Sequence, residues 1–192
     1  MPLSQAELED IRASAVQLYG PAEVHAALDR MAAGITAAIG DTLPVVLCVL
    51  TGGIIPTGHL LTRLAFPLEI DYLHATRYRG ETSGQEVHWV SEPGISLEGR
   101  TVLVVDDILD EGHTLAEVLA FCRDSGASDI YTAMLIQKRH GRRATGVRAD
   151  FVGLEVEDRY VFGFGMDYRG YLRNLNGIFA LGEPDETAEP TT

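Results

Sequence analysis

Short apolar runs alternate along this chain with stretches whose apolar residues recur at helical spacing. The strand-like runs are residues 44–50 (PVVLCVL), 67–74, 102–105, 130–136, 150–156 and 161–164. Several are continuous rather than alternating, as in strands covered on both faces. Ser4-x-x-Glu7 is a capping box opening a helix, with Leu8, Ile11, Ala15 and Leu18 on one face and Gly20-Pro21 as its break. Val24, Leu28, Met31 and Ile35 mark a second helix that closes near Gly40. A third spans residues 54–64 with Pro56 in its first turn, and a fourth carries Leu115, Val118, Leu119 and Cys122 and ends at Ser125-Gly126. Residues 87–90 return as a strand with Trp89 on its apolar face. Strands alternating with helices predict an α/β fold, a central mainly parallel sheet flanked by helices.

The chain has 192 residues, of which 46% are hydrophobic. That length predicts one domain with a sizeable core. No internal repeat or linker is visible, and the acidic, proline-containing end from 183 to 192 reads as a disordered tail. No apolar run approaches a membrane span, and the start, MPLSQAELED, is unlike a signal peptide. Cys48 and Cys122 sit in apolar settings and read as reduced core thiols, which favours a cytoplasmic protein. The net charge of −13 argues against nucleic-acid or anionic-membrane partners. His25 reads as a surface residue rather than a ligand.

The chemistry gathers at Val102 to Leu115, VLVVDDILDEGHTL. Asp106 and Asp107 follow the apolar run at once, where a parallel sheet presents its ligand crevice. Asp110, Glu111, Gly112, His113 and Thr114 then lead into a helix. A glycine-containing turn at a helix start aims backbone N–H groups at one point, and the helix dipole adds positive character, which makes a phosphate cradle. An ordinary strand–loop–helix with solvated acids is the plainer alternative; two adjacent acids, a third at the loop start, Gly112 and the Thr114 hydroxyl weigh against it. Thr51-Gly52-Gly53 ends the strand at 44–50 before a helix and is a weaker anion-loop candidate. Thr76 to Gln85 (TRYRGETSGQ) is polar and long for a hairpin, and reads either as a loose β-excursion or as a lid. Lys138, Arg139, Arg142, Arg143 and Arg148 cluster in one stretch, either as placed cations or as a solvated basic loop.

The stretch at 102–115 resembles the signature of type I phosphoribosyltransferases, which bind 5-phosphoribosyl-1-pyrophosphate (PRPP). Further on, KRH (Lys138 to His140), DFVGLEVEDRYVFGFGMDY (Asp150 to Tyr168) and YLRNLNGI (Tyr171 to Ile178) resemble the purine end of hypoxanthine-guanine phosphoribosyltransferases, a likeness that runs over about residues 20 to 180. The resemblance implies a single domain over 1–182, with a small hood from about 1–40 and 155–182 and a core over about 41–154. It implies a purine-salvage reaction, in which a purine nitrogen displaces pyrophosphate from C1 of PRPP to give IMP or GMP. It also implies Mg²⁺ as cofactor and a homodimer or homotetramer.

Residue by residue, the resemblance makes Asp110 the base that faces purine N7. Asp106 and Asp107 would hold the ribose hydroxyls, and the amides of Glu111, Gly112, His113 and Thr114 the 5′-phosphate. Thr51, Gly52 and Arg173 would meet pyrophosphate, and Arg77 and Tyr78 belong to the lid. Lys138 would donate to the 6-oxo group, Tyr160 stack on the base, and Val161 and Asp167 meet its 2-position edge. Asp106, Asp107 and Asp167 would serve Mg²⁺. The chain also departs from the family pattern. Asp106 stands where many relatives have Glu, Thr51 where many have Lys, and Arg77-Tyr78 replaces a Ser-Tyr pair. Glu111 replaces a small hydroxyl residue and is expected to point outward. The alternatives left open are a xanthine-preferring enzyme and a regulator on the same fold.

Overall fold

The computed structural model describes residues 2–77 and 87–182. In chain order the elements are α1 (Gln5–Ser14), β1 (Val16–Tyr19), α2 (Pro21–Ile39), β2 (Val45–Leu50), α3 (Ile54–Leu61), β3 (Glu69–Arg77) and β4 (Val87–Ser91). There follow β5 (Thr101–Leu109), α4 (His113–Asp124), β6 (Asp129–Arg139), β7 (Phe151–Glu157), β8 (Val161–Phe162) and β9 (Ile178–Ala180). Six strands form the main sheet in the order β4-β3-β2-β5-β6-β7, parallel except for β4. β1, β9 and β8, drawn from both ends of the chain, make a separate antiparallel sheet.

The continuous apolar runs have a direct cause. Successive strand residues point to opposite faces, and both faces are covered. Val46, Leu103, Val105 and Leu135 pack under Val24, Leu28, Met31 and Ile35 of α2 and Leu60 of α3. Their neighbours Val45, Leu47, Val102, Val104 and Met134 pack under Leu115, Val118 and Cys122 of α4. Cys48 and Cys122 are buried free thiols, and burial pushes Cys122 up to about 11.

The amino end differs from its sequence pattern. The capping box forms, with the Ser4 and Glu7 side chains each accepting from the other's backbone N–H. The helix stops at Ser14, however, and none of its residues is buried. Val16 to Tyr19, expected to continue it, pairs instead with β9, Val16 opposite Ala180. A helical periodicity with nothing to pack against yields to strand pairing with a distant segment. His25 is also not a surface residue. Its ring lies 5.4 Å from His59 and 6.4 Å from Phe164, and its Nε2 is buried without a hydrogen-bond partner among the described residues.

Candidate active site

The order of the main sheet creates one crevice. From β2 the chain passes to β3 on one side, and from β5 to β6 on the other, so the switch point lies between β2 and β5. Ligands in open α/β sheets bind outside the carboxyl ends of strands at such a point. β5 pairs with β2 only as far as Val105, but continues along β6 to Leu109. Asp106 and Asp107 therefore lie within β5, not after it, in the half whose β2 side has opened. The Cys48–Val105 pair is the last rung before β2 turns into Thr51-Gly52-Gly53, after a cis Leu50–Thr51 peptide.

The two loops touch. A Cβ on Gly52 would stand 1.9 Å from Oδ2 of Asp107, so the close approach needs a residue without a side chain. Gly165, at φ +112°, closes the third side, with its Cα hydrogen against the Gly52 carbonyl oxygen. Burial, and the neighbouring carboxylate of Asp107, push Asp106 well above the usual carboxylate range. Burial likewise raises Asp107, against the hydrogen bond with Asp106 and the charge of Arg173. Arg173 is the cation nearest these acids among the described residues. Its guanidinium lies 2.7 Å from Asp167 and 4.0 Å from Asp107, and donates to the Gly165 carbonyl at 2.7 Å.

Beyond β5, Gly112 takes φ +84° and caps α4 without a side chain, leaving the first-turn amides at His113 and Thr114 open at the helix end. The segment after β6 buttresses this bend. Ala144 N–H donates to Glu111 O at 2.8 Å, and Val147 lies against Gly112. The Glu111 carboxylate stands 3.7 Å from both His113 and Arg142.

Lys138, near the end of β6, donates to Oδ2 of Asp110 at 2.8 Å. His140 meets Oδ1 of the same carboxylate at 2.7 Å. Partial burial opposes ionisation of Asp110, yet the bonds from Lys138 and His140 outweigh it and hold the carboxyl below its ordinary range. Asp107, Asp110, Lys138, Tyr160, Val161 and Asp167 line one open cleft, floored by Ile108 and Met166. The Tyr160 ring is about half exposed there, and its hydroxyl donates to the Asp167 carbonyl at 3.1 Å.

A family model for the phosphoribosyl transferase domain matches residues 17–169. The chain belongs to the phosphoribosyltransferase family. It is 34% identical over 166 residues to the hypoxanthine-guanine-xanthine phosphoribosyltransferase of Tritrichomonas foetus, covering 86% of this chain and 91% of that one. To the hypoxanthine-guanine phosphoribosyltransferase of Bacillus subtilis it is 34% identical over 165 residues, covering 85% and 91%. A solved hypoxanthine-guanine-xanthine phosphoribosyltransferase superposes with a TM-score of 0.80 at 32% identity, over 88% of this chain and 97% of that one. A hypoxanthine phosphoribosyltransferase from Staphylococcus aureus gives 0.84 at 25% identity, over 98% and 100%.

In this phosphoribosyltransferase Asp107, Asp110, Lys138, Tyr160, Val161 and Asp167, all expected site residues, line one cleft, with Arg173 and Gly52 against Asp107. Arg77 closes β3, but its side chain and Tyr78 lie outside what the structure describes. The basic stretch is spent mostly on neighbouring acids: Arg139 pairs with Glu157, and Arg142 grips Asp158 with two nitrogens at 2.6 and 3.1 Å. His140 is the residue that sequence reasoning missed. It lies just past the end of β6, so no strand periodicity marks it, and its nearness to Lys138 in the chain was the available signal. Asp110, His140 and Asp158 can bring ligand atoms within 4.8 Å of one another, but Lys138 and Arg142 already neutralise the two carboxylates, so the group reads as a hydrogen-bond network rather than a cation site. A divalent ion fits better at Asp106 and Asp107. There two packed carboxylates repel each other beside a single arginine, and hard oxygen donors suit magnesium.

Proposed function

We propose that this chain transfers the 5-phosphoribosyl group from PRPP to hypoxanthine or guanine, forming IMP or GMP and releasing pyrophosphate. The observation that carries the reading is the pairing of Asp110 with Lys138 at 2.8 Å inside the cleft. A 6-oxopurine presents N7 and O6 side by side on one edge. A carboxylate and an ammonium side by side match that edge, one accepting the N7 proton and one donating to O6. Adenine would bring amino hydrogens to Lys138, and a buried donor left unpaired is what makes such rejection large. The relatives named above act, by their names, on these bases.

In this reading N9 bonds to C1 of PRPP as the bond to pyrophosphate breaks. Asp110 takes the N7 proton and offsets the positive charge that develops nearby, a general-base contribution of about 10²–10⁴ in rate. Asp106 and Asp107 hold the ribose hydroxyls. The amides of Glu111, Gly112, His113 and Thr114, with the Thr114 hydroxyl, hold the 5′-phosphate at the start of α4. Thr51, Gly52 and Arg173 meet pyrophosphate, with Arg77 and Tyr78 in the lid. Tyr160 stacks on the base, and the main chain at Val161 and Asp167 meets its 2-position. Asp106, Asp107 and Asp167 would hold Mg²⁺, which when bound neutralises the leaving pyrophosphate.

A single domain over 1–182 is part of the proposal, as are a cytoplasmic location and assembly as a homodimer or homotetramer. Among the described residues no helix is long and apolar enough to cross a membrane. Ile70 and Tyr72, half-exposed on one side of β3, offer an apolar strip for a second copy to cover. The reading is tested with PRPP, Mg²⁺ and a panel of bases, each product nucleotide being detected. IMP and GMP are expected. XMP alone would select the xanthine-preferring enzyme, since xanthine shares the N7–O6 edge and the relative from Tritrichomonas foetus bears that base in its name. No nucleotide from any base would remove the enzyme reading in favour of a regulator.

A further inference from the structure

The His140 side chain is only 3% exposed, though the carboxylate it meets is 41% exposed. Its other nitrogen is also engaged: Arg142 N–H donates to His140 Nδ1 at 3.1 Å. A ring nitrogen that accepts carries no proton. The bond from Arg142 therefore selects the neutral tautomer with its hydrogen on Nε2, and that hydrogen points at Oδ1 of Asp110, 2.7 Å away. The backbone at Arg142 is anchored in turn, because its side chain is gripped by Asp158.

Resting on the phosphoribosyl-transfer reading above, we propose that His140 is a positioning residue, a neutral donor that fixes the plane of the Asp110 carboxylate for proton transfer from the purine. Each Asp110 oxygen then has one donor, Lys138 on Oδ2 and His140 on Oδ1, and keeps a lone pair for the base. Lys138 must also serve the 6-oxo group, so its hold on Asp110 is shared when the base arrives. His140 has no such second duty. Because the ring is neutral, it orients the carboxylate without adding a second full positive charge, which would make Asp110 a poorer base. The charged and titratable groups facing this pair are Lys138 from β6, Arg142 and Glu111 from the two loops, and Asp158 after β7. Lys138 pairs with Asp110, and Arg142 pairs with Asp158 at 2.6 Å and more loosely with Glu111 at 3.7 Å, so each cation facing the imidazole is already matched by a carboxylate.

The test compares His140→Ala, His140→Gln, Asp110→Asn and the double variant His140→Ala/Asp110→Asn, by steady-state kinetics over a pH series. His140→Ala is expected to lower kcat about 10–100-fold, the scale of a misplaced catalytic group, with KM for PRPP unchanged. The acid limb of its profile should move to higher pH, because Asp110 has lost a donor that favours its charged form. Gln, a neutral amide donor, should restore most of both. In the Asp110→Asn background, His140→Ala should change nothing further. A wild-type kcat and profile for His140→Ala would overturn the proposal. So would an equal loss in the Gln variant, or a full additional loss in the double variant. If Asp110→Asn itself keeps wild-type kcat, it is the base assignment that fails. PRPP-induced thermal stabilisation of each variant reports that the phosphate loop is intact.

Discussion

Gly52→Ala is the smallest change that separates steric from conformational reasons for a glycine in the loop after β2, the proposed pyrophosphate loop. Gly52 does not have the left-handed φ of Gly112 or Gly165, so its backbone is one that alanine adopts freely. Only space is at issue. The new methyl would stand 1.9 Å from Oδ2, 2.4 Å from Cγ and 2.9 Å from Oδ1 of Asp107, about 1.5 Å inside ordinary contact at the nearest atom. Asp107 cannot swing away freely. It is buried, its own N–H donates to Asp106 at 2.8 Å, and Gly165 packs against its Cβ. Forced overpacking of this kind costs about 1–3 kcal/mol, and displacement of a binding group by about 1 Å costs on the order of 10² in rate.

We expect kcat/KM for PRPP to fall about 100-fold and the urea midpoint to drop accordingly. Two comparisons isolate the cause. Gly58, in α3, has nothing within 4 Å of where a Cβ would stand, so Gly58→Ala should leave activity intact and stabilise the helix by about 0.5–1 kcal/mol. In an Asp107→Ala background the colliding atoms are gone, and Gly52→Ala should then cost almost nothing in stability, a coupling within the usual 0.5–3 kcal/mol. Activity within threefold of the parent for Gly52→Ala, or an undiminished stability loss in the double variant, would refute the steric argument.

Lys138→Met removes the charge-assisted donor to Asp110 and, in the proposed reading, the donor to the 6-oxo group. It should lower kcat/KM for hypoxanthine about 10–100-fold, with little change in stability because Asp110 is 41% exposed; Asp110 also loses a donor, so the acid limb should move up in pH. Asp106 has its folded carboxyl raised by burial and by Asp107. Above the ordinary carboxylate range the native state then holds more protons than the unfolded chain, and stability falls as pH climbs toward the raised value. Asp106→Asn, which keeps the acceptor for Asp107 N–H, should raise Tm at neutral pH by about 2–4 °C, show no gain at pH well below the unfolded range, and abolish transfer; an equal gain at both pH values would dismiss burial of charge as the cause. Tyr160→Ala should raise KM for the base tenfold or more through lost stacking, whereas Tyr160→Phe, lacking only the bond to the Asp167 carbonyl, should stay near wild type.

The local parts of the fold were legible from the chain. Val102 to Val105 declared itself because both faces of β5 are covered, and Gly112 because a tight bend must open α4. What pairs across long separations was not. Residues 16–19 matched helical spacing as well as strand spacing, and only β9, some 160 residues away, decides between them. Strand ends were hidden for a related reason. β5 runs on into the site because it pairs with β6 after β2 has turned away, and β6 runs on because it pairs with β7, so polar residues such as Asp106 and Lys138 sit in strands that hydropathy alone would end sooner. His140 lies past the end of β6 and carried no periodic signal, and its bond to Asp110 spans 30 positions and depends on where the 140–147 segment folds back.

An acidic chain that takes a polyanion must neutralise it locally, and several of its described cations near the cleft are already committed to neighbouring acids. Arg139 and Arg142 are committed to Glu157 and Asp158, and Lys138 to Asp110. Arg173 already touches Asp167 and the Gly165 carbonyl. Among the described residues, the donors proposed to face the phosphates are then mostly main-chain amides at Gly52 and at the start of α4, short-range dipoles inside the crevice, with Arg173 beside them and a divalent ion proposed on the paired aspartates. Long-range steering by the described side-chain cations is therefore expected to contribute little to PRPP capture. From about 0.01 M to about 0.1 M salt the screening length falls from about 30 Å to about 10 Å. Across that range KM for PRPP, measured at constant free Mg²⁺, should change by less than about threefold, while chelation of Mg²⁺ should abolish turnover. A tenfold rise in KM with salt would mean that distant cations do the recruiting, and the reliance on backbone amides would be wrong.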